Sequence, residues 1–182
     1  MVLRLRSGHQ TTECRVGGAK LSKIKGNAIS KKASEDDVNC YFFDAEGVIH
    51  REFVHERQKV NAEFYGGVLD RLLKRIRRDR TAKFQSSEWF LLHDNAPSHN
   101  AAIVKKFLAN RKVAVLHHPS YSPDLAPSDY FLFAKLKFSL KGRHIQTVEE
   151  IQCTVTREFN SISKTAFLEG MKKLRERAKQ MY

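Results

Sequence analysis

The stretch VNCYFFDAEGVIHREFV, residues 38–54, restricts the fold more than any other part of the chain. Apolar, aromatic and β-branched residues stand on both sides of Asp44-Ala45-Glu46-Gly47. Residues of this kind favour strands, and Gly47 can supply the positive φ of a tight turn. The stretch therefore reads as a β-hairpin. After it, VNAEFYGGVLDRLLKRIRRDR places Phe64, Val68, Leu72 and Ile76 at steps of four, which makes one apolar helix face. Gly66 and Gly67 sit inside that helix, at a cost of about 1 kcal/mol each relative to alanine.

Further along, Trp89 to His93 reads as a short strand, about Asn100 to Ala109 as a helix and Val113 to His117 as a second strand. Pro119, Pro123 and Pro127 exclude regular structure from the loop HPSYSPDLAPSD. SDYFLFAKLKFSL then reads as a helix, capped by Ser128 with Asp129 in its first turn and stopped by Gly142. Thr147 with Glu150 forms a capping box for another helix, and Ser163 caps the last one. Hairpin, helix, strand, helix, strand, helix is the order of a mixed α/β domain without internal repeats.

Residues 1–37 read differently. They are rich in Lys, Arg, Gly and Ser and end in Glu35-Asp36-Asp37, and only MVLRLR alternates like a strand. The expectation is a poorly ordered or divergent segment over 1–37 and one domain over 38–182. The chain of 182 residues is 41% apolar, as globular proteins are. Its 33 Lys and Arg against 20 Asp and Glu leave a net charge of +13, which fits a polyanionic partner, nucleic acid before a membrane surface. Cys14, Cys40 and Cys153 are odd in number and lack metal-ligand spacing, so they read as reduced thiols of an intracellular protein. No run is apolar and long enough to span a membrane, and the N-terminus lacks a signal-peptide core.

Two carboxylates stand out. Asp94 follows the strand WFLL at the end where open α/β sheets place ligands. Asp129 opens a helix after the proline loop, with 34 residues between the two. Carboxylates presented from different elements can share hard cations such as Mg²⁺ or Mn²⁺. Two such ions about 4 Å apart activate an attacking oxygen and stabilise a leaving one in phosphodiester cleavage. On spacing alone the plainer reading is an Asx-turn at Asp94 and helix capping at Asp129. On the helix after the hairpin, Arg71, Lys74, Arg75, Arg77, Arg78 and Arg80 line the polar face, either as a DNA contact or as a solvated surface.

The segments FFDAEGVIHREFV, VNAEFY, WFLLHDNAPSH and HHPSYSPDLAPSDYFLF resemble the catalytic domain of mariner-family transposases. The resemblance runs from about Tyr41 to at least Phe159, with the family's separation between its second and third motifs. It implies an RNase H-like mixed sheet flanked by helices, with a triad of aspartates binding two Mg²⁺ or Mn²⁺ ions. It implies cleavage and transfer of DNA strands, hence DNA partners, a nuclear location and action as a homodimer. By the match, Asp94 is the second triad member and Asp129 the third, while Asp124 is not a ligand. His93, Asn95 and His99 would support Asp94, and Tyr121 would fix the loop that aims Asp129.

The first aspartate is expected on a strand before Tyr41, in a Gly-Asp-Glu segment followed by Trp. No such segment stands there, and the single tryptophan is Trp89. Asp44 matches the hairpin turn, and Asp36 and Asp37 follow no strand. The sheet is thus expected to be incomplete at its N-terminal strand, since MVLRLR suits a half-exposed position rather than a central one. The site is expected to hold one ion or none. The resemblance also leads one to expect a helix-turn-helix region and an extension past Tyr182, so the expectation is a truncated or decaying relative or an incomplete gene sequence. Two functions follow: a metal-dependent DNA nuclease and strand transferase, or a non-catalytic DNA-binding remnant.

Overall fold

A computed structural model describes residues 2–4, 12–17, 39–54, 60–86, 89–120, 122–141 and 147–181. The hairpin forms where expected, from β3 (Asn39–Asp44) and β4 (Gly47–Phe53), and Gly47 takes a φ of 130° in the turn. Between Phe42 and Phe43 the register shifts so that Phe42 faces His50 and Phe43 faces Val48. Ile49 is the extra residue, and it is buried. β5 (Phe90–Leu92) and β6 (Ala114–Leu116) pair in parallel, joined by α3 (Pro97–Asn100) and α4 (Ala102–Asn110).

The N-terminal segment corrects an expectation. β1 (Val2–Arg4) and β2 (Thr12–Gly17) both enter the sheet, whose order among the described residues is β4-β3-β2-β1-β5-β6. β1 therefore occupies a central position, antiparallel to both neighbours, with Leu3 opposite Glu13 on one side and Phe90 on the other. The physical reason is the backbone. The inner edges of β3 and β5 carry donors and acceptors that need partners, and two short strands supply them whatever their side chains. The remaining residues of 1–37 lie outside the described ones.

Side chains on β3 alternate between two cores. Cys40 and Phe42 join Ile49, Leu91 and the helix α1 (Ala62–Asp79) on one face. Tyr41 and Phe43 join Leu92 on the other, with the helices α5 (Ala134–Leu140), α6 (Val148–Ser161) and α7 (Lys164–Met181). The sheet is thus sandwiched between helical layers. α1 begins at Asn61, whose Oδ1 accepts from the Phe64 amide at 2.8 Å. Its buried face is Tyr65, Val68, Leu69, Leu72, Leu73 and Ile76, while Phe64 is only half-buried. A step of four outruns the helical period of 3.6, so the stripe drifts and Tyr65 takes the central place. The caps Thr147 and Ser163 hold as expected, accepting from the amides of Glu150 and Ala166 at 3.2 Å each. Gly142 lies outside the described residues.

One buried ion cluster joins the layers. Asp44, with no exposed surface, accepts from Arg80 Nε at 2.9 Å and Lys83 Nζ at 2.8 Å. Both cations also pair with Glu46, and Lys83 lies on the short helix α2 (Thr81–Ser86). Burial pushes the Asp44 carboxyl up, but its bonds to Arg80 and Lys83 outweigh this and hold it below the usual carboxylate range. A depressed folded pKa means stability that is full above the unfolded value near 4 and lost as pH falls through the folded one. Asp44→Asn is expected to cost about 3 kcal/mol by stranding two cations, and to flatten the acid limb of the stability–pH curve measured by urea unfolding.

Gly66 offers a test of opposite sign. A Cβ built there meets nothing within 4 Å, and the residue lies within α1 with ordinary negative φ. Gly66→Ala should raise stability by about 1 kcal/mol, read as a higher urea midpoint.

Candidate active site

Asp94 is the second residue after β5, at the C-terminal end of the sheet's parallel pair. Leu92 anchors the strand in one core and Leu91 in the other, which fixes where Asp94 emerges. Its Oδ1 accepts the Ala96 amide at 3.1 Å and His99 Nδ1–H at 2.5 Å. The Asx-turn at Asp94 is therefore present, and it leaves Oδ2 without a hydrogen bond among the described residues. Pro97 begins α3 and turns the chain so that His99, five residues on, faces back toward Asp94.

The two histidines differ in role. His99 is 4% exposed at its side chain and Asp94 43%. The Tyr65 ring lies 3.8 Å from the His99 ring, centroid to centroid, and the His93 ring stacks on His99 at 5.3 Å. Tyr65 OH shares a 3.0 Å hydrogen bond with His93 Nδ1. Burial, aided by the charge of His99, pushes His93 down to about 3, so His93 is a neutral ring at physiological pH. Burial raises Asp94, but the bond from His99, its charge and the Ala96 amide bring the carboxyl below its usual range. Asp94 is thus an ionised, oriented carboxylate. Asn95 acts elsewhere: its Nδ2–H donates to the His118 carbonyl at 2.7 Å and ties the loops after β5 and β6 together.

Asp129 sits in a different setting from the one expected. Residues Ser128–Phe133 are π-helical and run into α5, with Pro127 at the start. Ser128 is buried rather than capping. Just before the widened turn, the Asp129 and Tyr130 amides share the Ala126 carbonyl, at 2.7 and 3.0 Å. Such turns occur at functional sites. The Asp129 carboxyl makes no hydrogen bond or ion pair among the described residues. Phe131, Leu132 and Phe133 share the core cluster of Leu92, so the segment carrying Asp129 and the strand carrying Asp94 pack into one core.

α7 locks that segment from behind. Tyr130 OH donates to the Gly170 carbonyl at 2.8 Å. The Arg177 guanidinium covers the Tyr130 ring at 4.3 Å and donates to Asp124, to its carbonyl at 3.2 Å and to its Oδ1 at 3.3 Å. Asp124 is thereby occupied as a latch, and its neighbour Tyr121 lies outside the described residues. Tyr65 and Arg177 were not among the residues singled out from sequence. Each acts through a contact across 28 to 53 residues of chain, which spacing does not show.

The six cations of the α1 region are mostly engaged. Arg71 binds Glu52 at 2.9 Å, Lys74 binds Asp70 at 2.8 Å, and Arg75 and Arg78 lie 3.9 and 2.7 Å from Asp79. Arg77 covers the Phe84 ring at 4.9 Å, and Arg80 is held under the hairpin by Asp44.

A family model described as DDE superfamily endonuclease matches residues 25–152, well over half of the chain. The chain belongs to this family. Mariner Mos1 transposase of Drosophila mauritiana is 33% identical over 163 residues, covering 88% of this chain and 46% of the relative, so the chain spans less than half of that protein. The solved Mos1 transposase catalytic domain with Raltegravir and Mn aligns over 91% of this chain and 79% of its own, at 33% identity and a TM-score of 0.76. The mariner Mos1 paired end complex with Mg aligns over 93% of this chain and 53% of its own, at 27% identity and a TM-score of 0.74. These matches bear out the RNase H-like fold and the mariner resemblance.

DDE endonucleases imply a divalent cation, and the residues can be tested against it. Asp94 Oδ2 and the Asp129 carboxylate are hard oxygen donors of the kind Mg²⁺ and Mn²⁺ take. Among the described residues no group of three or more His, Cys, Asp or Glu stands together as a metal site. The donor chemistry fits, and the first acid is not supplied there. A Cβ at Gly170 would lie 2.7 Å from Phe131, too close for the ring to remain in place. Gly170→Ala should therefore cost about 1–3 kcal/mol and weaken Mn²⁺ binding, read by Mn²⁺ electron paramagnetic resonance, although it removes no carboxylate.

Proposed function

We propose that the chain is the catalytic portion of a mariner-type transposase, cutting and joining DNA strands with Mg²⁺ or Mn²⁺ held by Asp94 and Asp129. The observation that carries this reading is Asp94 itself: an ionised carboxylate whose Oδ1 is fixed by His99 and Ala96 and whose Oδ2 is left open. The bound ion would activate the attacking oxygen and stabilise the leaving one. The protein's own work is orientation. His99 holds Asp94 against rotation, Tyr65 and His93 hold His99, and Asn95 fixes the loop beside it. α7 performs the same service for Asp129 through Tyr130 and Gly170.

Relatives solved as a paired end complex support DNA as the partner here, and with it a nuclear location and a homodimer. No helix of the described residues is long and apolar enough to cross a membrane. The alternative, a DNA-binding remnant without catalysis, draws on the absence of a third acid beside the two among the described residues.

A nicking assay on supercoiled DNA with Mn²⁺ separates the two. Activity should fall by at least about 100-fold in Asp94→Asn, as when a transition-state charge stabiliser is lost, and stay near wild type in Asp124→Asn. Wild-type protein that binds DNA without nicking it would establish the remnant instead.

A further inference from the structure

We propose that one ridge of α7, formed by Lys164, Lys172, Arg175 and Lys179, is the surface that lies along the DNA phosphate backbone. This rests on DNA being the partner. The helix buries Phe167, Gly170, Met171 and Leu174 against the core. Lys164, Leu168, Lys172, Arg175 and Lys179 follow one another at steps of four, four, three and four, so they form a single ridge on another side of the helix. All five are exposed, and none of the four cations has an ion-pair partner among the described residues. The helix's acidic residues Glu169 and Glu176 stand beside the ridge on its solvent side, three or four positions from Lys172 and Lys179, yet neither forms an ion pair with these cations among the described residues.

The contrast with α1 decides between two basic helices. Arg71, Lys74, Arg75, Arg78 and Arg80 already have carboxylate partners, and Arg77 is laid on Phe84. A cation that must first leave a carboxylate gains little from a phosphate, whereas a free one releases a condensed counterion for each contact. The ridge is also long enough. From Lys164 to Lys179 the helix rises about 22 Å at about 1.5 Å per step, the rise of roughly six base pairs. A lipid surface fits less well, because Leu168 is the one apolar residue on the ridge and the helix's apolar face is already spent on the core.

α7 is also the helix that braces the candidate site. Gly170 and Arg177 hold Tyr130 and Asp124 on either side of Asp129. DNA lying on the ridge would therefore be bound by the same rigid element that fixes Asp129.

The test is the salt dependence of binding of the full chain to a mixed-sequence duplex, followed by fluorescence anisotropy. Lys172→Gln, Arg175→Gln and Lys179→Gln together should lower the slope of log K against log salt by about 2 to 3, at about 0.9 per phosphate contact. Lys74→Gln, Arg75→Gln and Arg78→Gln together should lower it by less than about 1 by the same measure. Arg175→Lys should bind as wild type does. The proposal is overturned if the α7 variant, folded by circular dichroism, keeps the wild-type slope, or if the α1 variant loses more. It is also overturned if the α7 changes abolish binding to phosphatidylserine vesicles while leaving DNA binding intact. Wild-type protein that binds no DNA would bring down the transposase reading along with this one. Wild-type binding left unchanged by the α7 variant removes the ridge alone.

Discussion

Everything in this molecule depends on a sheet that must be covered on both faces and paired on both inner edges. β3 meets the first demand by sending Cys40 and Phe42 one way and Tyr41 and Phe43 the other. β5 does the same with Leu91 and Leu92. A strand buried on both sides cannot leave its backbone groups unpaired, because no water reaches them. β1 and β2 close that gap. Once the sheet is complete, the residue after its central apolar strand has a fixed exit, and His93-Asp94 is what emerges there.

Strong electrostatics are placed where they shape the fold. Asp44 lies at the hairpin turn with Arg80 and Lys83 arriving from the end of α1 and the start of α2. Such a cluster adds little net energy over an apolar replacement, yet it tolerates no missing member. It sets the angle at which α1 leaves the hairpin. That angle in turn carries Tyr65 to His93 and His99. The orientation of Asp94 thus traces back through two rings and a helix to a turn fifty residues earlier in the chain.

Much of this was legible in the residues. The hairpin, both later strands, the caps at Thr147 and Ser163 and the place of Asp94 just past a strand end follow from local pattern, because strands, turns and caps are decided by neighbours a few positions apart. What was not legible is long-range. β2 alternates only over Glu13-Cys14-Arg15-Val16, a run short enough that the strands beside it define it. The arginines of α1 look alike in sequence, and only the fold shows that Arg80 finds Asp44, 36 residues away. Ser128 looks like a cap, but the packing of Phe131 against Gly170 is met by a π-helical turn that buries it. Asp124 and Asp129 are told apart in three dimensions by Arg177.

The close fit of Phe131 against Gly170 also has a meaning in time. The groups that orient Asp94, the Ala96 amide and His99 with Tyr65 and His93 behind it, all stand before residue 100. The turn holding Asp129 finds its support in a helix that spans Lys164–Met181. During synthesis the residues that orient Asp94 are therefore made before the helix that braces Asp129. A chain in which α7 has not docked orients Asp94 but leaves the turn of Asp129 unbraced, so the two carboxylates are set as a pair only once that helix is in place.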